Sequence, residues 1–160
     1  MIAGLSGTAP AAEAPARAPA ALEYIDIKKI LPHGFPFLLV DRVADYEKGA
    51  WIRGIKNLAA REPFLDPDAT GICPPGLVIE AIGQLAIILF GLSRPEPTLP
   101  EILLGSISQV DILGEVPTGG QLILEAEVVK LMDNSLIFNG RASLDGTPVL
   151  TLQNLLAVTR

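Results

Sequence analysis

Histidine and cysteine are almost missing from this chain, with one of each, His33 and Cys73, in 160 residues. A single cysteine excludes an intrachain disulfide. Buried cysteine is common, so Cys73 reads as a structural residue of a protein kept in a reducing cytoplasm. No second histidine is available to activate it as a nucleophile. The chain has no cluster of metal-ligating side chains and no glycine-rich phosphate loop, so no metal or other cofactor is expected. Positive charge is also short. Twelve Lys and Arg against 18 Asp and Glu leave a net −6, which argues against nucleic acid as a partner. The N-terminus lacks the basic start and long apolar run of a signal peptide. From Thr8 to Ala21 it is rich in Ala and Pro, so residues 1–22 are expected to form a disordered leader ahead of one domain over residues 23–160.

What the chain has in quantity is apolar residues, at 49%, enough for a sizeable core. The densest stretch, residues 74–92, reads as a nearly all-apolar helix with one carboxylate, Glu80, and one amide, Gln84. A helix hydrophobic all round belongs in a core. A lone carboxylate is costly there unless it is partnered or functional. The i, i+4 spacing puts Gln84 on the face of Glu80, where the amide can steer the acid. With about 17 apolar or small residues the stretch sits at the lower edge of membrane-spanning length. No basic flank precedes it and strand-like segments follow, so a core helix is expected and no membrane.

The remaining elements give the fold class. Residues 23–30 suggest a short helix ended by Pro32. A strand is expected to start at Phe37 and run to Val43, and Trp51 to Asn57 forms a hairpin with it across the Lys48-Gly49 turn. A loop with Pro, Asp and Gly runs from Glu62 to Pro75, and a Pro-rich loop from Arg94 to Pro100 leaves the apolar helix. Four strands are then expected: Ile102–Leu113, Gln121–Leu131, Ser135–Leu144 and Val149–Val158. Turn signals at Pro117–Gly120, Asp133-Asn134 and Asp145-Gly146 separate them. A hairpin, one long buried helix and an antiparallel meander make an α+β hot-dog layout, a sheet wrapped around one central helix. The exposed edge of such a sheet often pairs in a dimer.

These residues also point to a family. Ile30-Leu31-Pro32-His33-Gly34-Phe35-Pro36-Phe37-Leu38-Leu39-Val40-Asp41-Arg42-Val43 resembles the opening signature of the 3-hydroxyacyl-acyl carrier protein dehydratases. Lys56-Asn57 and Glu62-Pro63-Phe64 continue it. Pro75-Gly76 and Glu80-Ala81-Ile82-Gly83-Gln84 resemble its central-helix motif. Val116 to Leu122 resembles a later turn, with Gly120 where an Asp is usual. The resemblance implies a hot-dog dimer, with itself or with a His-bearing dehydratase, and an acyl tunnel at the subunit interface. Its partner would be an acyl carrier protein or acyl-CoA thioester. The implied chemistry removes water from a 3-hydroxyacyl thioester: a base takes the α-proton and an acid protonates the departing hydroxyl. In the family the base is a loop His and the acid is the helix carboxylate of the other subunit, here Glu80. The helix start around Gly76 presents N–H groups to the thioester carbonyl.

The resemblance departs at the base. His33 matches a motif outside the catalytic pair, and in its Leu-Pro turn it reads as a structural hydrogen-bonding residue. The loop from Glu62 to Gly71 is shorter than the family pattern and has no histidine. Anchored on Glu62-Pro63-Phe64, the His position falls on Asp68; anchored on Glu80, it falls on Asp66. Both are also ordinary turn residues. Gly34 stands where the family has a basic residue. Three readings stay open. An Asp replaces the His as base, which makes a slow enzyme, because an unperturbed Asp is a weak base at neutral pH. The chain is a binding or partner subunit that lends Glu80 to an active homologue. Or a carboxylate near the helix start serves a hot-dog thioesterase. Arg53, Lys56, Arg61 and Arg94 are candidates to meet an acidic carrier protein if they cluster.

Overall fold

The computed structural model describes residues 21–59, 71–95 and 101–160. Chain order is α1 (Tyr24–Ile30), β1 (Arg42–Glu47), β2 (Trp51–Asn57), α2 (Pro75–Leu92), β3 (Ile102–Leu104), β4 (Gln109–Ile112), β5 (Gln121–Met132), β6 (Ser135–Leu144) and β7 (Thr147–Thr159). The strands form one antiparallel sheet in the order β1-β2-β5-β6-β7, with β3 and β4 both pairing the far edge of β7. The sheet wraps α2, the hot-dog architecture expected.

Period-two alternation builds the inner face of the sheet. Leu122, Leu124 and Ala126 of β5 and Phe138 and Ala142 of β6 are buried, while Arg53, Glu125 and Arg141 sit in one row on the outside. Asp145 and Gly146 both have positive φ, 49° and 80°, the conformation a two-residue hairpin turn requires. The mean hydropathy of α2, 1.9 over 18 residues, is high enough for a membrane, but 67% of it is buried inside the domain. The contact is close because glycine removes side chains in its path. A Cβ on Gly54 would lie 2.6 Å from Leu85 Cδ1, and one on Gly140 would collide with Ile82. At its C-terminus the Ser93 hydroxyl donates to the Leu89 carbonyl and accepts the Gly49 N–H at 2.8 Å, which ties the β1–β2 turn to the helix end.

Two strand expectations are corrected. The strand expected from Phe37 begins at Arg42, because the Leu39 N–H and the Phe37 carbonyl are taken by a side chain of α2. The strand expected over Ile102–Leu113 is broken into β3 and β4. Asn154 of β7 has φ 49° and gives its N–H to Asn139 Oδ1. This bulge shifts the register by one residue, from Leu104↔Ala157 to Gln109↔Gln153. Most of the expected leader lies outside the described residues. Leu22, at its end, already exchanges both backbone hydrogen bonds with Val43, at 3.1 and 2.9 Å.

Candidate active site

The strap between α1 and β1 crosses the N-terminal half of α2, and one side chain joins them. Gln84 is fully buried, and its amide makes three hydrogen bonds. Oε1 accepts the Leu39 N–H at 2.8 Å. Nε2 donates to the Phe37 carbonyl at 2.8 Å and to Glu80 Oε1 at 3.0 Å. The backbone donor at Leu39 fixes which end of the amide is oxygen, so both N–H groups must face the carbonyl and the carboxylate. Glu80 is half-buried, and among the described residues its Oε2 has no partner. The geometry therefore orients one oxygen of a carboxylate and leaves the other open among the described residues.

The start of α2 is bare. Its cap residue, Pro74, makes no side-chain cap, and Pro75 at the first turn has no N–H. Gly76 is exposed, and a Cβ there would meet nothing within 4 Å. Packing does not require its missing side chain, and its N–H is available to an incoming oxygen. Gly76 and Glu80 lie one turn apart on the same stripe.

Asp66 and Asp68 lie outside the described residues, as do Glu62-Pro63-Phe64 and Arg61. The ends of their segment are placed by one turn. The Leu58 carbonyl accepts the Gly119 N–H, the Leu58 N–H goes to Gly120, and the Gly71 carbonyl accepts the Thr118 N–H. The motif Val116–Gly120 thus holds the chain on both sides of residues 60–70. Its Gly120 has a local cause: a Cβ there would lie 2.8 Å from Leu144 Cδ1.

His33 is not brought to Glu80 by any hydrogen bond. Its ring packs against Phe37 at 5.9 Å, and among the described residues its buried Nδ1 has no partner, where a structural hydrogen bond was expected. The rest of the opening motif is scaffold. Val40 and Val43 are core, Asp41 Oδ2 accepts the Asn57 N–H at 2.6 Å, and Arg42 pairs with Glu23 at 3.1 Å. Of the described basic candidates, Lys56 lines a small apolar cleft with Leu39, Leu77 and Val78, and the two arginines lie elsewhere. Arg53 is bound to Glu125 on the outer sheet face, and Arg94 lies beyond the far end of α2, over Phe90 and bonded to the Asp133 carbonyl. Cys73 is buried beside an apolar cleft of about 440 Å³ lined by Ile72, Val78, Ile112 and Leu150, on the α2 face turned away from Glu80. Among the described residues no group of three or more His, Cys, Asp or Glu can hold a metal. Sequence reasoning missed the strap backbone at Phe37 and Leu39, since a main-chain contact leaves no residue-type signal.

Residues 31–153 match the model of the FabA-like domain. The chain is 35% identical over 136 residues to the 3-hydroxyacyl-[acyl-carrier-protein] dehydratase FabZ of Haemophilus ducreyi, covering 81% of this chain and 86% of that protein. To the same enzyme of Sodalis glossinidius it is 39% identical over 124 residues, covering 76% and 82%. Among solved structures it resembles the dehydratase heterocomplex ApeI:P from Xenorhabdus doucetiae. The TM-score there is 0.75 at 20% identity, over 84% of this chain and 90% of that one, a likeness of fold.

Proposed function

Because this chain belongs to the FabA-like domain family, as its close likeness to the 3-hydroxyacyl-[acyl-carrier-protein] dehydratases establishes, we propose that it acts on or binds 3-hydroxyacyl and enoyl thioesters of acyl carrier protein, in fatty acid or polyketide-type synthesis in the cytoplasm. The observation that carries the reading is the Gln84 fork, which holds Glu80 Oε1 and leaves Oε2 open. The thioester carbonyl accepts the Gly76 N–H, which stabilises negative charge on that oxygen. A base removes the C2 proton, the C3–O bond breaks, and the hydroxyl leaves as water with a proton from Glu80 Oε2. The products are a C2=C3 double bond and a Glu80 carboxylate.

The base has two candidate sources. Asp66 or Asp68 takes the role in a slow homodimer, or a His-bearing dehydratase supplies it in a heterodimer. The second reading is favoured by His33, the chain's single histidine, which packs on Phe37 and makes no hydrogen bond to Glu80. The test is to incubate purified protein with a 3-hydroxyacyl carrier thioester and follow enoyl formation by mass. Turnover lost in Glu80→Gln supports the dehydratase, and loss in Asp66→Asn or Asp68→Asn identifies the base. No turnover alone, with turnover on adding a His-bearing homologue, supports the partner subunit. Release of free thiol would point to a thioesterase instead.

A further inference from the structure

The outer face of the sheet carries one continuous cross-strand row. Register places Arg53 beside Glu125, Glu125 beside Arg141, Arg141 beside Thr151 and Thr151 beside Asp111. The row runs from β2 to the open edge at β4. Arg53 and Arg141 both pair with Glu125. Asp111 Oδ2 accepts from Gln109 Nε2 at 2.8 Å and from Thr151 Oγ1 at 3.4 Å, both neutral donors. Among the described residues no basic side chain pairs with it. The row therefore ends on an uncompensated acid, and its next position belongs to whatever pairs with β4.

Symmetry fixes what a second copy would put there. In a twofold antiparallel pair the axis passes between one residue and its own copy. Facing residues have Cβ atoms about 4.5–5.5 Å apart, and diagonal neighbours lie about 7–8 Å apart. Pairing centred on Val110, Asp111 or Ile112 sets Asp111 opposite its copy or one diagonal step away. The centre at Asp111 also suits the α2 site. Leu104 lies seven residues before Asp111 and Thr118 seven after it, so this register brings the partner's Thr118 to the level of Leu104. The Leu104 side chain sits on Gly83, where a Cβ would lie 2.6 Å from its Cδ1, one turn from Glu80. The Thr118 N–H holds the Gly71 carbonyl. The register thus carries the partner's turn toward Glu80, as a base supplied by a second subunit requires.

We propose that Asp111 is the pairing filter of this edge: it opposes a second copy of this chain and selects a homologous subunit with a lysine or arginine at the facing position. Like charges facing across a strand pair are destabilising, whereas a cation there continues the alternation of the row. The inference rests on the reading that a second subunit supplies the base, and it names the chemistry by which that subunit is chosen.

The experiment uses the chain as its own probe, with Asp111→Lys supplying the basic edge. Sedimentation velocity at low salt, following a fluorescently labelled copy, compares wild type, Asp111→Lys and their mixture. The mixed pair should be tighter than either self-pair by about fivefold or more, and the gap should shrink as salt is raised. Asp111→Asn keeps an acceptor for Gln109 and Thr151 and should self-associate about two- to fivefold more tightly than wild type. Glu127→Lys makes the same charge change at an exposed position of β5, away from the edge. It should show only the smaller preference for wild type that net charge gives. Far-UV circular dichroism checks folding; if Asp111→Lys is unfolded, Asp111→Asn decides. Equal dissociation constants for mixed and self-pairs overturn the proposal, as does an equal preference in Glu127→Lys. Absence of association in every combination, Asp111→Asn included, also overturns it. The readout is association and not turnover. A failed dehydratase assay with the preference intact removes the reading above and leaves the filter, whereas turnover by wild type with no preference does the reverse.

Discussion

At the scale of single residues, the strongest constraint on the molecule is Gln84. It is buried, it makes three hydrogen bonds at once, and two of its partners are main-chain groups of a segment that belongs to neither sheet nor helix. Replacing it with Leu removes the bond to the Phe37 carbonyl and takes from the buried Leu39 N–H its acceptor, and a buried unpaired polar group costs about 1–3 kcal/mol. Gln84→Leu is therefore expected to lower the urea midpoint and, by freeing Glu80 to rotate, to lower kcat more than it raises KM. Glu80→Gln keeps a hydrogen-bonding group beside Gln84 but removes the transferable proton. It should leave the urea midpoint nearly in place while turnover falls by about 10²–10⁴. Equal losses of kcat in both variants with equal losses of stability would mean that the pair only holds the strap. The pairing of Glu80 with Gln84 was legible in the sequence from the i, i+4 spacing inside an otherwise apolar run. The strap was not, because Phe37 and Leu39 look like strand residues and only the folded chain shows that their main-chain groups are already taken by a side chain 45 or more positions away.

At the scale of elements, the sheet is registered by pairs and bulges that alternation alone does not encode. The hairpins at Asp133-Asn134 and Asp145-Gly146 could be placed from their turn residues. The split of Ile102–Leu113 depends on Asn154, one residue in the middle of β7 that reads as an ordinary strand position. The outer row Arg53–Glu125–Arg141 makes an equally specific contribution. Burial alone would raise the Glu125 carboxyl, but the hydrogen bonds and charges of Arg141 and Arg53 outweigh it and hold its pKa below the ordinary carboxylate value. A carboxylate depressed in the folded state contributes stability above its unfolded pKa, and that contribution is lost as pH falls through the folded one. Thermal unfolding followed from neutral pH into the acid range should show a loss of stability below the usual Glu range that is smaller in Glu125→Gln. An identical pH slope in the two proteins would remove the row from the account. The seat of α2 makes a second expectation. Gly140→Ala puts a methyl where Ile82 now sits, an overpacking expected to cost about 1–3 kcal/mol in chemical denaturation. Moving the branch off Cβ in Gly140→Ala/Ile82→Leu, which removes the Cγ2 that the new methyl would strike, should recover part of it. A Gly140→Ala variant as stable as wild type would mean that the helix can shift away from β6.

At the scale of the whole molecule, the question is what covers the edge that ends in β4. Among the described residues β4 pairs only β7, so its other side carries unpaired backbone groups. The side chains beside it are apolar: Ile112 is 61% exposed and Leu113 58%. Natural proteins protect such an edge with charge, proline or a neighbour, and here β4 supplies a single charge, Asp111, whose carboxylate accepts a hydrogen bond from Gln109. A twofold partner would pair the edge and bury these side chains in one self-complementary contact. It would also carry a second copy of the α2 stripe toward the first, as a site shared between subunits requires. Each copy brings a net charge of −6, so self-pairing works against like-charge repulsion that salt screens. A less acidic partner avoids this cost. Sedimentation velocity should therefore find a dimer whose dissociation constant falls as salt is raised. Ile112→Lys should shift it to monomer with the far-UV spectrum intact, and the dehydratase assay should lose its signal with the dimer. A folded monomer that keeps full turnover would place the whole site within one chain. If the protein remains monomeric at every salt concentration yet pairs stably with a His-bearing dehydratase, the edge is built for a different subunit, and Glu80 serves that subunit's base.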